Sequence, residues 1–253
     1  MRGALVDYKQ KYYSAGRNIV PGDNYPCKLL PICFFFCKII IIFHITLPPS
    51  AVSREGHLMS QPFFALISRM RYIGRWGLMR NSMPENIQEH SHMVAVIAHA
   101  LALIRRDVFK RDCDPNEYAA IALYHDAPEI LTGDMPTPIK YYNEEINSAY
   151  KQVESIAAQR LIELLPDELR AAYSHLLHFE EDRDKGIIIK AADKLSAYIK
   201  CIEERKAGND EFSSAEKQTK EILENMNLPE VDYFMEHFLP AFELTLDELG
   251  GLQ

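Results

Sequence analysis

The sequence predicts an all-α protein, and three observations carry that prediction. Apolar residues return every three or four positions in one segment after another from Gln61 onward. No segment sustains the alternation of apolar and polar residues that marks a half-buried strand, and neither a glycine-rich phosphate loop nor an internal repeat is present. With 253 residues, 47% of them hydrophobic, the chain can bury a core, and length alone permits one or two domains.

The first 58 residues differ in character from the rest. They hold seven Lys and Arg against three Asp and Glu, whereas residues 59–253 hold 21 against 33, a net charge of −12. A body that acidic repels nucleic acid as a polymer, so no polymeric partner of that kind is expected. Leu29 to Leu47 is mostly apolar and close to the ~20 residues of a spanning helix. Lys38 at its centre, however, costs about 2.5 to 3.5 kcal/mol on insertion. Membrane contact is expected only if residues 29–47 form a genuine anchor. The favoured reading takes Met59 as the natural start, residues 1–58 as a hydrophobic extension outside the functional fold, and residues 59–253 as one cytoplasmic functional domain. Cys27, Cys33, Cys37, Cys113 and Cys201 are odd in number and scattered, which suits a reducing compartment.

Each helix has its own signal. Phe63, Leu66, Ile67, Met70 and Ile73 put one apolar stripe on a helix from Gln61 to Ile73, ended by Gly74. Arg75 and Trp76, the sole tryptophan, follow in an aperiodic segment running through Pro84. Val94, Ile97, Ala98, Leu101 and Ile104 predict a buried helix from Ser91 to Arg106, with His90 at its entry. His92 and His99 fall about 200° and 180° round from His90, so at most one of the three can face a given ion. Asp114 and Pro115 form a cap with proline at the first helical position, launching a periodic run from Tyr118 to Leu131. Pro128 inside that run removes the bond to the Tyr124 carbonyl and predicts a kink. Gly133 to Pro138 break the chain into a loop. A long helix is expected over 139–165, a short one from Pro166, another from Gly186 to Lys206, and two more, Glu211 to Asn225 and Val231 to Leu246.

Chemistry concentrates at His125-Asp126. On a helix these two metal-capable side chains lie about 100° apart and can grip one ion from adjacent sides, although an isolated pair of this kind is more often a surface pair or a satisfied core histidine. Glu129 projects over the same face one turn on, where it can handle a proton. Asp193 stands in the otherwise apolar Ala191-Ala192-Asp193-Lys194-Leu195, and burying it calls for a cation or a lysine partner. Arg75 can fork a phosphate while Trp76 walls a sugar or base, or the pair can be a solvated arginine beside a core plug. Asp134 and Thr137 lie just past the His-Asp pair, as substrate ligands or as helix caps.

The order His90, His125-Asp126, Asp193 resembles the H…HD…D signature of the HD-domain metal-dependent phosphohydrolases. More closely, Ile73-Gly74-Arg75-Trp76, Glu89-His90-Ser91, Tyr124-His125-Asp126-Ala127, the stretch from Leu131 to Tyr141, Ala192-Asp193, and Tyr198-Ile199-Lys200-Cys201 are similar to the bacterial YfbR-type 5′-deoxynucleotidases. The likeness covers nearly all of residues 59–253. It implies an HD-domain helical fold, a homodimer, and removal of the 5′-phosphate from deoxyribonucleoside 5′-monophosphates with one divalent transition metal. His90, His125, Asp126 and Asp193 would hold the metal. Arg75 would orient the phosphate and Trp76 would pack against the sugar. Asp134, Met135, Pro136 and Thr137 would complete the nucleotide site, in which His90, Asp126 and Asp193 also face substrate. Glu129 would handle the proton. Two imidazoles and two carboxylates suit Co2+, Mn2+ or a similar ion better than calcium.

Two other readings remain open on the sequence. Another HD-domain phosphohydrolase, acting on a phosphodiester, an alarmone or a nucleoside triphosphate, would call for more basic residues than Arg75, Arg80 and Lys140 supply. A non-catalytic, metal-stabilised scaffold would keep the four ligands but has no use for Arg75, Trp76 and Glu129.

Overall fold

Helices make up all the regular structure in the computed structural model, which describes residues 60–140 and 142–250. The extension, the segment 29–47, Cys27, Cys33, Cys37 and the Met59 start lie outside the described residues. Among those described there are no strands, only an isolated bridge between Gly74 and Asn86. No helix among them is long and apolar enough to cross a membrane.

The helices are α1 (Phe63–Ile67), α2 (Ile87–Leu103), α3 (Pro115–Tyr124), α4 (Glu129–Thr132), α5 (Thr137–Lys140), α6 (Glu144–Glu163), α7 (Asp167–Leu177), α8 (Arg183–Lys206), α9 (Ser213–Asn225) and α10 (Pro229–His237). The principal core lies where α2 packs on α3 and α8, and α8 on α9. There Val94, Leu101, Ile121, Ile188, Leu195 and Leu223 are shut off from solvent. A second apolar cluster gathers Phe63, Ala127, Leu161 and Leu165, and in it the Phe63 ring meets Tyr173 edge-on at 4.9 Å.

Several boundaries differ from the sequence prediction, each for a local reason. The 61–73 helix tightens at Ser68 into a 3-10 turn (Ser68–Tyr72), where the Ser68 hydroxyl donates to the Ala65 carbonyl at 2.8 Å. α2 begins four residues before Ser91, because Asn86 accepts from the Gln88 and Glu89 amides while Glu89 reaches back to the Asn86 amide, a capping box. It ends at Leu103 and widens into a π turn (Ile104–Val108). The expected 139–165 helix is two pieces, since the Asn143 side chain accepts from the Ile146 amide and starts α6 afresh. α8 starts earlier than Gly186, at Arg183, capped by Asp182. The last predicted helix stops at His237 and continues only as a 3-10 turn containing Pro240, which has no amide to extend an α-helix.

Candidate active site

Where a helix kinked at Pro128 was expected from Tyr118 to Leu131, the chain makes a corner. α3 ends at Tyr124, residues 125–128 form a turn, and α4 starts at Glu129. Pro128 has no N–H for the Tyr124 carbonyl, and Ala127 N bonds that carbonyl instead, at 3.0 Å. Glu129 N and Ile130 N continue the tighter winding onto the Asp126 and Ala127 carbonyls. His125, Asp126 and Glu129 therefore project from one compact corner and not from a kinked rod. Gly133, at φ 75° and ψ 159°, adopts a conformation that a side chain would oppose, and it turns the chain from α4 into the Asp134 loop.

Three separate elements meet at this corner. His90 comes from the start of α2 and Asp193 from the middle of α8, and His90 Nε2 lies 3.1 Å from Asp193 Oδ1. His125 Nε2 is 3.2 Å from Asp126 Oδ2, and His90 Nε2 is 3.6 Å from the same oxygen. Donor atoms of His90, His125 and Asp193 all lie within 4.8 Å of one another. Asp126 attends this trio from the side, because its Oδ2 also accepts from Arg75 Nη1 at 3.3 Å. His92 is exposed and His99 half-buried on other faces of α2, and neither joins the cluster.

The protonation pattern suits a cation. His125 Nδ1 lies 2.8 Å from the Ala122 carbonyl, which can only accept, so Nδ1 carries a proton and, in the neutral imidazole, Nε2 has the lone pair. That Nε2 is buried and has no hydrogen-bond partner among the described residues. With the imidazole neutral, its approach to Asp126 at 3.2 Å sets one electron-rich atom near another, a contact that a bound cation would relieve. His90 Nδ1 is 3.2 Å from Ser196 Oγ, and donation to that hydroxyl turns the Nε2 lone pair toward the cluster. Burial, aided by Arg75, holds His90 below its ordinary pKa and thus neutral. Burial also opposes charge on His125, but Asp126 and Asp193 outweigh it and raise that imidazole. Asp126 and Asp193 stay well below the usual carboxylate range. Burial resists this in both, but it is overcome by His125, His90 and Arg75 at the first and by Lys194 and His90 at the second.

Glu129 behaves oppositely. Its carboxyl is buried, and that burial, with Asp126 and Asp134 nearby, raises its pKa well above the ordinary value. Glu129 Oε2 has no hydrogen-bond partner among the described residues. Asp134 is likewise raised by burial, against the pull of Arg75 and of the nearby Trp76 backbone. Met135 and Pro136 are half-buried in the loop and Thr137 is exposed at the start of α5.

Arg75 and Trp76 stand at the root of a closed loop. Arg75 N bonds Glu85 O at 2.9 Å and Ile87 N bonds Ile73 O at 3.0 Å, pinching the loop's ends together. Trp76 sits at φ 61°, a left-handed conformation that costs a bulky residue about 1–3 kcal/mol and tends to persist where surrounding contacts enforce it. Those contacts are the Phe212 ring, 5.2 Å away between centroids, and Glu85, which accepts from the indole Nε1 at 2.9 Å. At the far side of the loop, buried Glu204 accepts from the Ser82 amide at 2.8 Å and from the Met83 amide at 3.2 Å. Lys200, one turn earlier on α8, donates to both Glu204 and the Met83 carbonyl. Sequence reading missed Glu85, Ser196 and Glu204. Ser196 and Glu204 share with Asp193 the three- and four-residue steps of one helical face, and that spacing was the available signal.

An all-helical fold that brings a histidine, a His-Asp corner and a late aspartate together defines an HD-domain phosphohydrolase. An HD-domain phosphohydrolase from Listeria innocua shares the architecture, with a TM-score of 0.63 and 25% identity over 71% of this chain and 87% of its own. The chain belongs to the 5′-deoxynucleotidase YfbR-like family, whose profile matches residues 62–242. A 5′-deoxynucleotidase of Erwinia tasmaniensis is 50% identical over 189 residues, which are 74% of this chain and 96% of that protein. The cyanophage S-2L HD phosphohydrolase DatZ, bound to dA and one catalytic Zn2+ ion, has the same fold, with a TM-score of 0.52 and 21% identity over 75% of this chain and 100% of its own.

Proposed function

We propose that this chain hydrolyses deoxyribonucleoside 5′-monophosphates to deoxyribonucleoside and phosphate, using one divalent transition metal held by His90, His125, Asp126 and Asp193. The Nε2 of His125 carries this reading: it is buried, makes no hydrogen bond among the described residues, and shares with His90 and Asp193 a mixed nitrogen and carboxylate cluster of the kind that holds such an ion. Co2+, Mn2+ and Zn2+ all fit that donor set, and calcium, which prefers oxygen alone, does not. When bound, the ion supplies Lewis acidity at phosphate and lowers the pKa of a water.

The chain's own residues supply the rest. Arg75 has Nε committed to Glu85 and Nη1 to Asp126, and among the described residues nothing holds Nη2, which is left to meet a phosphate oxygen. Glu129 is pushed up by burial and pulled back by a neighbouring cation, which leaves it able to hold and release a proton at the 5′-oxygen. Trp76 closes the site against the sugar, and Asp134 faces the 3′ side. Activity in the cytoplasm as a homodimer belongs to the same proposal. Phosphate release from paired deoxy- and ribonucleoside monophosphates, measured after chelation and after restoring Mn2+, Co2+ or Zn2+, tests it. Turnover of dAMP that vanishes with chelation and returns with metal is expected; activity confined to cyclic or triphosphate substrates would overturn it.

A further inference from the structure

Between the guanidinium proposed to meet phosphate and the indole proposed to meet sugar stands a carboxylate that no role above uses. Glu85 Oε2 accepts from Arg75 Nε at 3.0 Å and from Trp76 Nε1 at 2.9 Å. One oxygen thus holds two neighbouring side chains that point to different parts of the site. The Glu85 side chain is only 16% exposed and that of Arg75 12%, so neither bond is diluted by bulk water.

Glu85 is in turn fixed by its own backbone, because its carbonyl accepts from the Arg75 amide and the next residue, Asn86, caps α2. Asp126 takes the opposite side of the guanidinium, so Arg75 is gripped between a loop carboxylate and a member of the ion cluster. Among the described residues the Trp76 ring has no second hydrogen bond of this kind, only the Arg75 guanidinium over its face at 6.0 Å. The indole is set by Glu85 and by the tilted face of Phe212, over a backbone already in a strained conformation.

We infer that Glu85 is a positioning residue that sets sugar selectivity, by locking the Trp76 indole to the same oxygen that orients Arg75. The inference rests on the substrate reading given above and adds to it a cause for discrimination. The indole is held where it is by a bond to the phosphate-orienting arginine's partner, so the wall against a 2′-hydroxyl and the grip on the 5′-phosphate are set together. Loosening that oxygen frees the wall first, since Arg75 retains its hydrogen bond to Asp126 whereas the indole keeps only ring contacts, with Phe212 and with the guanidinium 6.0 Å from its centroid.

The test is Glu85→Gln, which keeps the shape but replaces the charged acceptor of both bonds with a neutral amide, weakening each. Trp76 is the only tryptophan, so its emission reports the indole directly, with or without substrate. In Glu85→Gln the emission is expected to move to the red and acrylamide quenching to rise. The kcat/KM for dAMP is expected to fall about 10- to 100-fold, as for small misplacements of orienting groups, and the dAMP to AMP ratio of kcat/KM is expected to narrow. A variant that melts like wild type, with unchanged emission and an unchanged dAMP to AMP ratio, overturns the inference. Should Glu85→Gln not fold, Trp76→Phe removes the indole N–H while keeping a ring. A wild-type dAMP to AMP ratio in that variant overturns the inference equally. Wild-type turnover separates the two readings: if the metal-loaded wild type releases no phosphate from dAMP, the substrate reading fails, and the emission of Glu85→Gln still decides whether Glu85 holds the indole.

Discussion

His90 Nε2 on α2 and Asp193 Oδ1 on α8 stand 3.1 Å apart although 103 residues separate them. Asp193 is also bonded to Lys194 at 2.9 Å through its other oxygen, so its charge is committed on both sides. Asp193→Asn keeps the volume and removes that charge. Metal content measured by elemental analysis is expected to drop by more than the roughly 10- to 100-fold typical of outer-shell changes, with phosphatase activity falling in step. Full metal occupancy in the variant would exclude Asp193 as a ligand.

Glu129 occupies the same corner as His125 and Asp126 without joining their cluster. In Glu129→Gln a neutral amide replaces a carboxyl whose burial already favours the neutral form, so folding and metal content are expected to hold. The kcat is expected to fall about 10²- to 10⁴-fold, the usual share of a proton-transferring group. A kcat within a few-fold of wild type at every pH would remove Glu129 from the chemistry.

Ser196 turns His90. Without its hydroxyl the imidazole loses the partner that fixes Nδ1, and Ser196→Ala is expected to weaken metal affinity about tenfold. Competition against a fluorescent chelator measures that directly, and an unchanged dissociation constant would refute it.

Glu204 links the substrate loop to acid stability. Burial alone would raise its carboxyl, but donation from Lys200, Asn209, Ser82 and Met83 more than reverses this and holds it at about 2, against an ordinary 4.5. A depressed folded-state pKa contributes stability above pH 4.5 that is lost as the pH falls toward 2. Glu204→Gln should therefore melt lower than wild type at pH 7, with the gap closing between pH 4.5 and 2. Thermal melts across that range check it, and a gap that does not change with pH would show that Glu204 does not act through its charge.

Wherever the apolar stripe ran undisturbed, as along α2, α3 and α8, the helices were legible from spacing alone. Asp193 was legible because a carboxylate among alanines and leucines demands a partner. Pro128 marked where the run from Tyr118 would be disturbed, but not that the helix would stop: the Ala127 amide takes the Tyr124 carbonyl in place of the missing one, and the chain turns a corner where a kink was expected. The break before α6 was hidden for a similar reason: Asn143 reads as an ordinary polar residue until its side chain is seen on the Ile146 amide. Glu85 lies ten residues from Arg75 in an aperiodic loop, where no periodicity rule pairs residues.

Asp193, Ser196, Lys200 and Glu204 recur along α8 at three- and four-residue steps, so the segment from Asp193 to Glu204 carries the ion cluster at one end and the fastening of the substrate loop at the other. Eleven residues at helical rise set these ends about 16 Å apart. A single insertion or deletion between them turns one end about 100° away from its partners. Length variation in this protein should therefore be tolerated in the connections around Gly208 and barred between Asp193 and Glu204, so that α8 acts as the gauge to which the rest of the active centre is cut.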